Sequence, residues 1–209
     1  IYQLINKPIV SIDAYGELDA GQESHVLNIG LDDESGGYLM TKYLLECGYE
    51  HIQVCAGRDS GVDHLRYMGA QKAAKEFAEK NQKVQFTALG MNYAKRKESY
   101  AWLSQRKKPK TALFFLSDLH ALEAISFFSS RGVKIPEEIG IAGYDNISYA
   151  EFSVPRLTTV SQNVEQKASL AVEILMERIN GEDKERENEI RLPVTLITRK
   201  SVQRQDEKK

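Results

Sequence analysis

His51-Ile52-Gln53-Val54-Cys55-Ala56 is a strand-sized apolar run, and the pattern after it decides the fold. The loop Gly57-Arg58-Asp59-Ser60-Gly61 leads into a helical pattern that runs to about Asn81. Val84 to Leu89 reads as a second strand, and roughly Ala94 to Arg106 as a second helix. Thr111 to Leu116 is a buried strand by composition, and 118–131 is a helix with Leu122, Ile125 and Phe128 on one face. Gly132 and Pro136 punctuate the chain before a last strand, Ile139-Gly140-Ile141-Ala142-Gly143. Four strands separated by three helices with short connections mean parallel strands and right-handed crossovers. Residues 51–143 are therefore one nearly complete doubly wound α/β lobe.

Outward from that lobe the pattern continues on both sides. Upstream, Pro8 to Asp13 is a short β-rich run, 14–25 is polar and loop-like, and His25 to Leu31 is a strand. Asp32 or Asp33 caps a helix from about Glu34 to Cys47, with Leu39, Tyr43, Leu44 and Cys47 at helical spacing and Gly48 ending it. Downstream, 144–157 is a loop containing Pro155, and Thr158 to Ser161 is a short strand. Glu165 to Ile179 is an amphipathic helix with Ala168, Ala171, Leu175 and Ile179 facing inward, and Gly181 stops it. Glu182 to Glu189 reads as a charged linker, Leu192 to Thr198 as a final strand, and the end of the chain as a polar tail.

Composition bounds the function. Apolar residues are 42% of the 209 and charged residues 28%, a globular balance that excludes disorder and a disulfide-rich mini-protein. No apolar run approaches the roughly 20 residues that span a bilayer. Lys and Arg number 28 against 30 Asp and Glu, and the net charge of −2 leaves no electrostatic footprint for nucleic acid on this chain. Cys47 and Cys55 fit no disulfide or metal framework, which points to a reducing cytoplasm.

Ligands in doubly wound sheets bind beyond the carboxyl ends of the strands. The informative positions are then Asp13, Asp32, Gly57 to Gly61, Gly90 to Tyr93, Ser117 with Asp118, and Asp145. No dinucleotide fingerprint, phosphate-binding loop or nucleophile elbow is present. The histidines at 25, 51, 64 and 120 show no i, i+3 or i, i+4 spacing, so neither a metal nor another cofactor is expected. What remains is a binding constellation of carboxylates, one arginine, one aromatic ring and small polar groups. Ionised Asp accepts, Arg donates in a planar fork, and a ring offers a flat apolar face; together they match the vicinal hydroxyls of a sugar or the edge of a small metabolite. Each residue also has a plainer role open to it. Asp13 ends a strand, Arg66 is a surface cation on its helix, Tyr93 packs on the lobe, Asp118 caps the helix it opens, and Asp145 belongs to a turn.

Two linked motifs sharpen this. Ile141-Ala142-Gly143-Tyr144-Asp145-Asn146 and Pro155-Arg156-Leu157-Thr158-Thr159-Val160-Ser161-Gln162 resemble the paired signatures of the effector-binding core of the lactose/galactose repressor family. Asp32 to Gly37 with Leu44 to Tyr49, Arg66-Tyr67-Met68-Gly69, and Leu192 to Ser201 are similar to three further family segments, in family order. The resemblance covers about residues 8–202.

That resemblance implies a periplasmic-binding-protein-like α/β fold, with two Rossmann-like lobes of parallel sheet joined by three crossing segments. The crossings are expected near 30–33, 159–163 and 193–197. Residues 1–32 and 163–193 would supply part of the first lobe, 33–162 and 194–202 the second, and 203–209 a polar tail. Two β–α units, roughly 60 residues at about 30 per unit, would be missing from the first lobe. That would leave the apolar face of the helix at 165–179 uncovered. The helix-turn-helix that contacts operator DNA would lie upstream of this chain. The resemblance implies an effector site of Asp13, Arg66, Tyr93, Ser117, Asp145 and Gln162, with Ser117 standing where many members have Asn. It also implies a cytoplasmic, homodimeric, non-enzymatic transcriptional repressor that senses a sugar or related metabolite. The alternatives are a solute-binding protein of a sugar transporter and, less in keeping with the motifs, an enzyme on the same kind of sheet.

Overall fold

A computed structural model of the chain describes residues 7–14, 26–57, 60–79, 81–182, 184 and 186–205. Most of the polar stretch 14–25, the expected strand start at His25, Arg58 and Asp59, and residues 206–209 of the expected tail lie outside the described residues. The chain divides into two units, 1–32 with 162–194 and 33–161 with 195–209, so it passes between them three times.

In the first unit, β1 (Ile9–Ile12) and β2 (Val26–Leu31) pair in parallel. The third strand of this sheet comes from far down the chain, Glu189–Leu192, also parallel to β2. β2 is buried along its whole length, as expected for the central strand of a parallel sheet.

The second unit opens with α1 (Asp33–Glu46), then β3 (His51–Ala56), α2 (Gly61–Phe77), β4 (Lys83–Ala88), α3 (Tyr93–Gln105), β5 (Thr111–Phe115), α4 (Asp118–Ser129) and β6 (Ile139–Ala142). Its sheet runs β4-β3-β5-β6, all parallel, which is the doubly wound order the alternation predicts. One face carries a core of Cys55, Leu113, Phe115 and Ile141 packed against Tyr100 and Leu103 of α3 and Ala121, Ile125 and Phe128 of α4. α1 and α2 pack against each other, and two glycines set how closely. A Cβ on Gly37 would lie 1.8 Å from the Arg66 carbonyl oxygen, and one on Gly69 would lie 1.8 Å from that of Glu34. No other residue type fits either crossing point without moving a backbone.

The structure differs from expectation at several points. α2 ends at Phe77, four residues before Asn81, with Ala78 in extended geometry after it. The segment 144–157, a loop by its sequence, contains a single helical turn, α5 (Tyr149–Phe152). After β7 (Thr159–Ser161) and α6 (Val164–Asn180), the expected single strand 192–198 is two. β8 (Glu189–Leu192) belongs to the first unit's sheet, and β9 (Thr195–Ile197) pairs antiparallel with β7 in the second. Pro193 sits between them and has no N–H to extend either ladder. The stretch that reads as a charged linker accordingly ends in a strand, because Glu189-Ile190-Arg191-Leu192 alternates over only four residues.

In α6, Ala168 and Ile179, expected to face inward, are exposed together with Val164, Val172 and Met176, while Ala171 and Ile174 are buried. The apolar arc of this helix is wider than the described residues cover.

Candidate functional site

The site is built where β3, β5 and β6 end. A cavity of about 250 Å³ opens there in the second unit, lined by Ala56 and Gly57 after β3, Ser60, Val62, Asp63 and Arg66 of the α2 start, Leu116, Ser117 and His120 after β5, and Asp145 after β6. This is the carboxyl-end position that open α/β sheets use.

Arg66 is held rigidly. Its Nε donates to Asp33 Oδ1 at 2.7 Å, and Nη1 donates to the Leu116 carbonyl at 2.7 Å. Its guanidinium carbon lies 3.7 Å from the centre of the Tyr144 ring. Burial alone would pull its pKa down, but Asp33, Tyr144 and Asp145 outweigh burial and hold it above the ordinary value. Nη1 is also 4.0 Å from Asp145 Oδ1. Ser117 Oγ donates to Asp145 Oδ2 at 3.3 Å.

Asp145 stands on a strained turn. Its φ is 120° and that of Asn146 is 54°, both in the region that L-residues avoid and Asn and Asp tolerate best. The turn is fixed from below by Asp118, which is fully buried and accepts from Thr159 Oγ1 at 2.6 Å and from the Ile147 N–H at 3.0 Å. Burial pushes the Asp118 carboxyl up to about 7, against those hydrogen bonds and with help from the Asp145 charge. The sequence suggests that Asp118 caps α4; instead Ser117 holds the cap position and the Asp118 carboxylate is spent on the Asp145 turn. The Asn146 side chain in turn accepts from Arg199 Nη2 at 2.8 Å, so the Leu192 to Ser201 segment also supports the turn.

The structure thus gathers Arg66, Ser117 and Asp145 on one wall. Tyr93 is not in that wall. It opens α3 after the Asn92 cap and is 53% exposed, with Lys97 Nζ 5.2 Å from its ring centre. Asp13 and Gln162 belong to the first unit. Asp13 follows β1 with φ 52° and forms an ion pair with Lys167 of α6. Ser60 falls in the Gly57 to Gly61 stretch that strand-end position singles out, whereas sequence reasoning misses Asp33 as the partner of Arg66, Tyr144 as its platform, and Asp63 and His120 as wall residues. Position offers a signal for two of these, since Asp63 and His120 fall in the first turns of helices that come after strand ends. Among the described residues no group of three or more His, Cys, Asp or Glu is placed to hold a metal ion, and no helix is long and apolar enough to cross a membrane.

Comparison with known proteins places this geometry. The family model of the periplasmic binding protein-like domain matches residues 41–202. The HTH-type transcriptional repressor PurR of Haemophilus influenzae strain Rd is 37% identical over 181 residues, which are 82% of this chain and 53% of that protein. The chain spans about half the length of the curated relatives it matches. Among solved structures, a LacI family transcriptional regulator from Enterococcus faecium with bound ribose superposes with a TM-score of 0.81 at 26% identity, covering 95% of this chain and 72% of that one. A dimeric Lac repressor with a C-terminal deletion shares the fold, with a TM-score of 0.73 at 22% identity over 85% of this chain and 65% of that one.

Proposed function

The chain belongs to the periplasmic binding protein-like domain family, as a LacI/GalR-type effector-binding core, and from that membership we propose that it senses a small metabolite for a transcriptional repressor. The effector is a sugar or sugar derivative, and it binds against the Arg66–Ser117–Asp145 wall. One observation carries this reading: a guanidinium locked by Asp33 and the Leu116 carbonyl faces, across 4.0 Å, a carboxylate with acceptor oxygens at the cavity. A vicinal diol can donate to Asp145 and accept from Arg66 at once. The ribose in the Enterococcus faecium regulator supports a sugar-sized ligand. Asp13, Gln162 and Tyr93 complete the proposed effector contacts, outside this wall.

Operator DNA is the second partner. The matched relatives are helix-turn-helix repressors of which this chain covers only about half, so operator contact falls to residues outside it, in the cytoplasm where such a repressor works. The intact protein is a homodimer. Leu119, Tyr149, Phe152 and Val154 are large apolar side chains exposed in the second unit, and we assign the dimer contact to them. The chain is not an enzyme in this reading, and the transporter alternative loses ground because the matched relatives are repressors.

The test is a thermal-shift screen of the full chain against sugars, sugar phosphates and nucleobases. A ligand at about 100 times its Kd adds about 2.7 kcal/mol of stability. A panel without any stabilising sugar contradicts the proposal.

A further inference from the structure

The cavity wall contains the start of a long helix, and that start is chemically unusual. α2 has 17 residues, and its first turn, Gly61, Val62 and Asp63, comes after the Ser60 cap. A helix start of this length carries free N–H groups and partial positive charge, which favour a phosphate or carboxylate. Arg66 lies one turn further on, with its side chain nine-tenths enclosed. Its Nε and Nη1 are engaged, and among the described residues Nη2 makes no hydrogen bond. A helix start and a guanidinium together would form an oxyanion subsite.

The charges around them reverse that expectation. The Asp63 N–H is already taken by Ser60 Oγ at 3.1 Å, and Asp63 is itself one of the residues lining the cavity. The Arg66 charge is answered by Asp33 at 2.7 Å and by Asp145 at 4.0 Å. His120 is the other ionisable residue of the wall. On this wall the carboxylates of Asp63 and Asp145 outnumber the single guanidinium of Arg66, although its scaffold is one that attracts anions.

We infer that Asp63 is a specificity determinant that keeps oxyanions out of this cavity, so that the group bound there is an uncharged hydroxyl and not a phosphate or a carboxylate. The inference rests on the reading of the cavity as the effector site. It narrows that site to neutral sugars and excludes sugar phosphates whose anionic group would enter this wall.

The experiment titrates the full chain, wild type and the Asp63→Asn and Asp63→Ser variants, with inorganic phosphate, D-ribose and D-ribose 5-phosphate. Calorimetry gives affinity, and circular dichroism confirms folding. Removing one unit charge from an enclosed wall is expected to tighten phosphate binding about tenfold, or about 1.4 kcal/mol, in both variants. Wild type is expected to show no phosphate binding at millimolar concentration. Unchanged phosphate affinity in both variants overturns the inference, and so does a wild type that prefers ribose 5-phosphate to ribose. If neither variant folds, the wild type decides: stabilisation by millimolar phosphate overturns the inference and its absence upholds it. A gain of phosphate binding in the variants, with no neutral sugar binding the wild type, upholds the role of Asp63 and removes the sugar-sensing proposal instead.

Discussion

Arg66 Nε donates to Asp33 Oδ1 at 2.7 Å, and the Asp33 side chain of that pair is wholly enclosed. The pair joins the first turn of α1 to the second turn of α2, so the residue best placed to hold a ligand also holds two helices together. Removing one member leaves the other buried without its counter-ion. Asp33→Ala is expected to lower unfolding free energy by about 3–5 kcal/mol. Urea denaturation of the full chain checks this, and a loss under about 1 kcal/mol would mean that Asp145 alone satisfies Arg66. Arg66→Ala is expected to lose stability and ligand affinity together, so it cannot separate the two roles.

Gly69→Ala tests how the arginine is positioned. The new methyl carbon would lie 1.8 Å from the Glu34 carbonyl oxygen, closer than any relaxed contact, so α1 and α2 must move apart. Overpacking of this kind costs about 1–3 kcal/mol. Thermal unfolding should show that loss, and ligand affinity should fall with it because the Asp33–Arg66 geometry spans the same two helices. Wild-type values for both would contradict the close-approach reading.

Asp118 predicts a pH dependence with a definite sign. Its carboxyl sits at about 7 in the folded chain, against about 3.9 when unfolded. The folded state therefore holds a proton that the unfolded state releases. The stabilisation is complete below about pH 4 and is lost as pH rises towards 7. The slope reaches at most about 1.4 kcal/mol per pH unit. Asp118→Asn removes the titration, so the stability difference between wild type and variant should change across pH 4–7 and be flat above. A difference independent of pH would show that Asp118 is ionised throughout.

The exposed apolar side chains of α4 and α5 predict how the intact protein associates. Leu119→Glu and Phe152→Glu each place a charge where burial against a second copy is expected. Sedimentation of the full-length protein should show a dimer at micromolar concentration for wild type and a monomer for the variants. A wild-type monomer contradicts the dimer proposal, and dimeric variants move its interface elsewhere.

Much of the fold is legible because strand and helix patterns are local. The second unit's four sheet strands lie within one or two residues of their predicted positions, since continuous apolar runs such as Thr111–Phe115 need no partner to be recognised. β8 is not legible, because four alternating residues beside a charged stretch carry little signal and only the sheet edge at β2 makes them a strand. In the site, strand ends and motifs point to Arg66, Ser117 and Asp145. Asp33 is legible only as a capping residue, since its real partner lies 33 positions away. Asp118 misleads for the same reason: the Ile147 N–H and Thr159 hydroxyl that claim its carboxylate are 29 and 41 positions distant.

The most direct measurement is the affinity of the Asp145→Asn variant for the neutral sugar that best stabilises the wild type. Asp145 is 26% exposed at the cavity, and its 4.0 Å pairing with Arg66 is the looser of that guanidinium's two, so the substitution leaves the 2.7 Å bond to Asp33 in place. The substitution keeps the side-chain shape and its tolerance of the φ of 120°, while removing the anionic acceptor. A charge-assisted hydrogen bond is worth roughly 1.5–3 kcal/mol. Calorimetric titration of the full chain should therefore show a ten- to hundredfold weaker Kd, with ligand-free melting temperature close to wild type. Wild-type affinity in a folded Asp145→Asn protein would contradict the assignment of this cavity as the effector site.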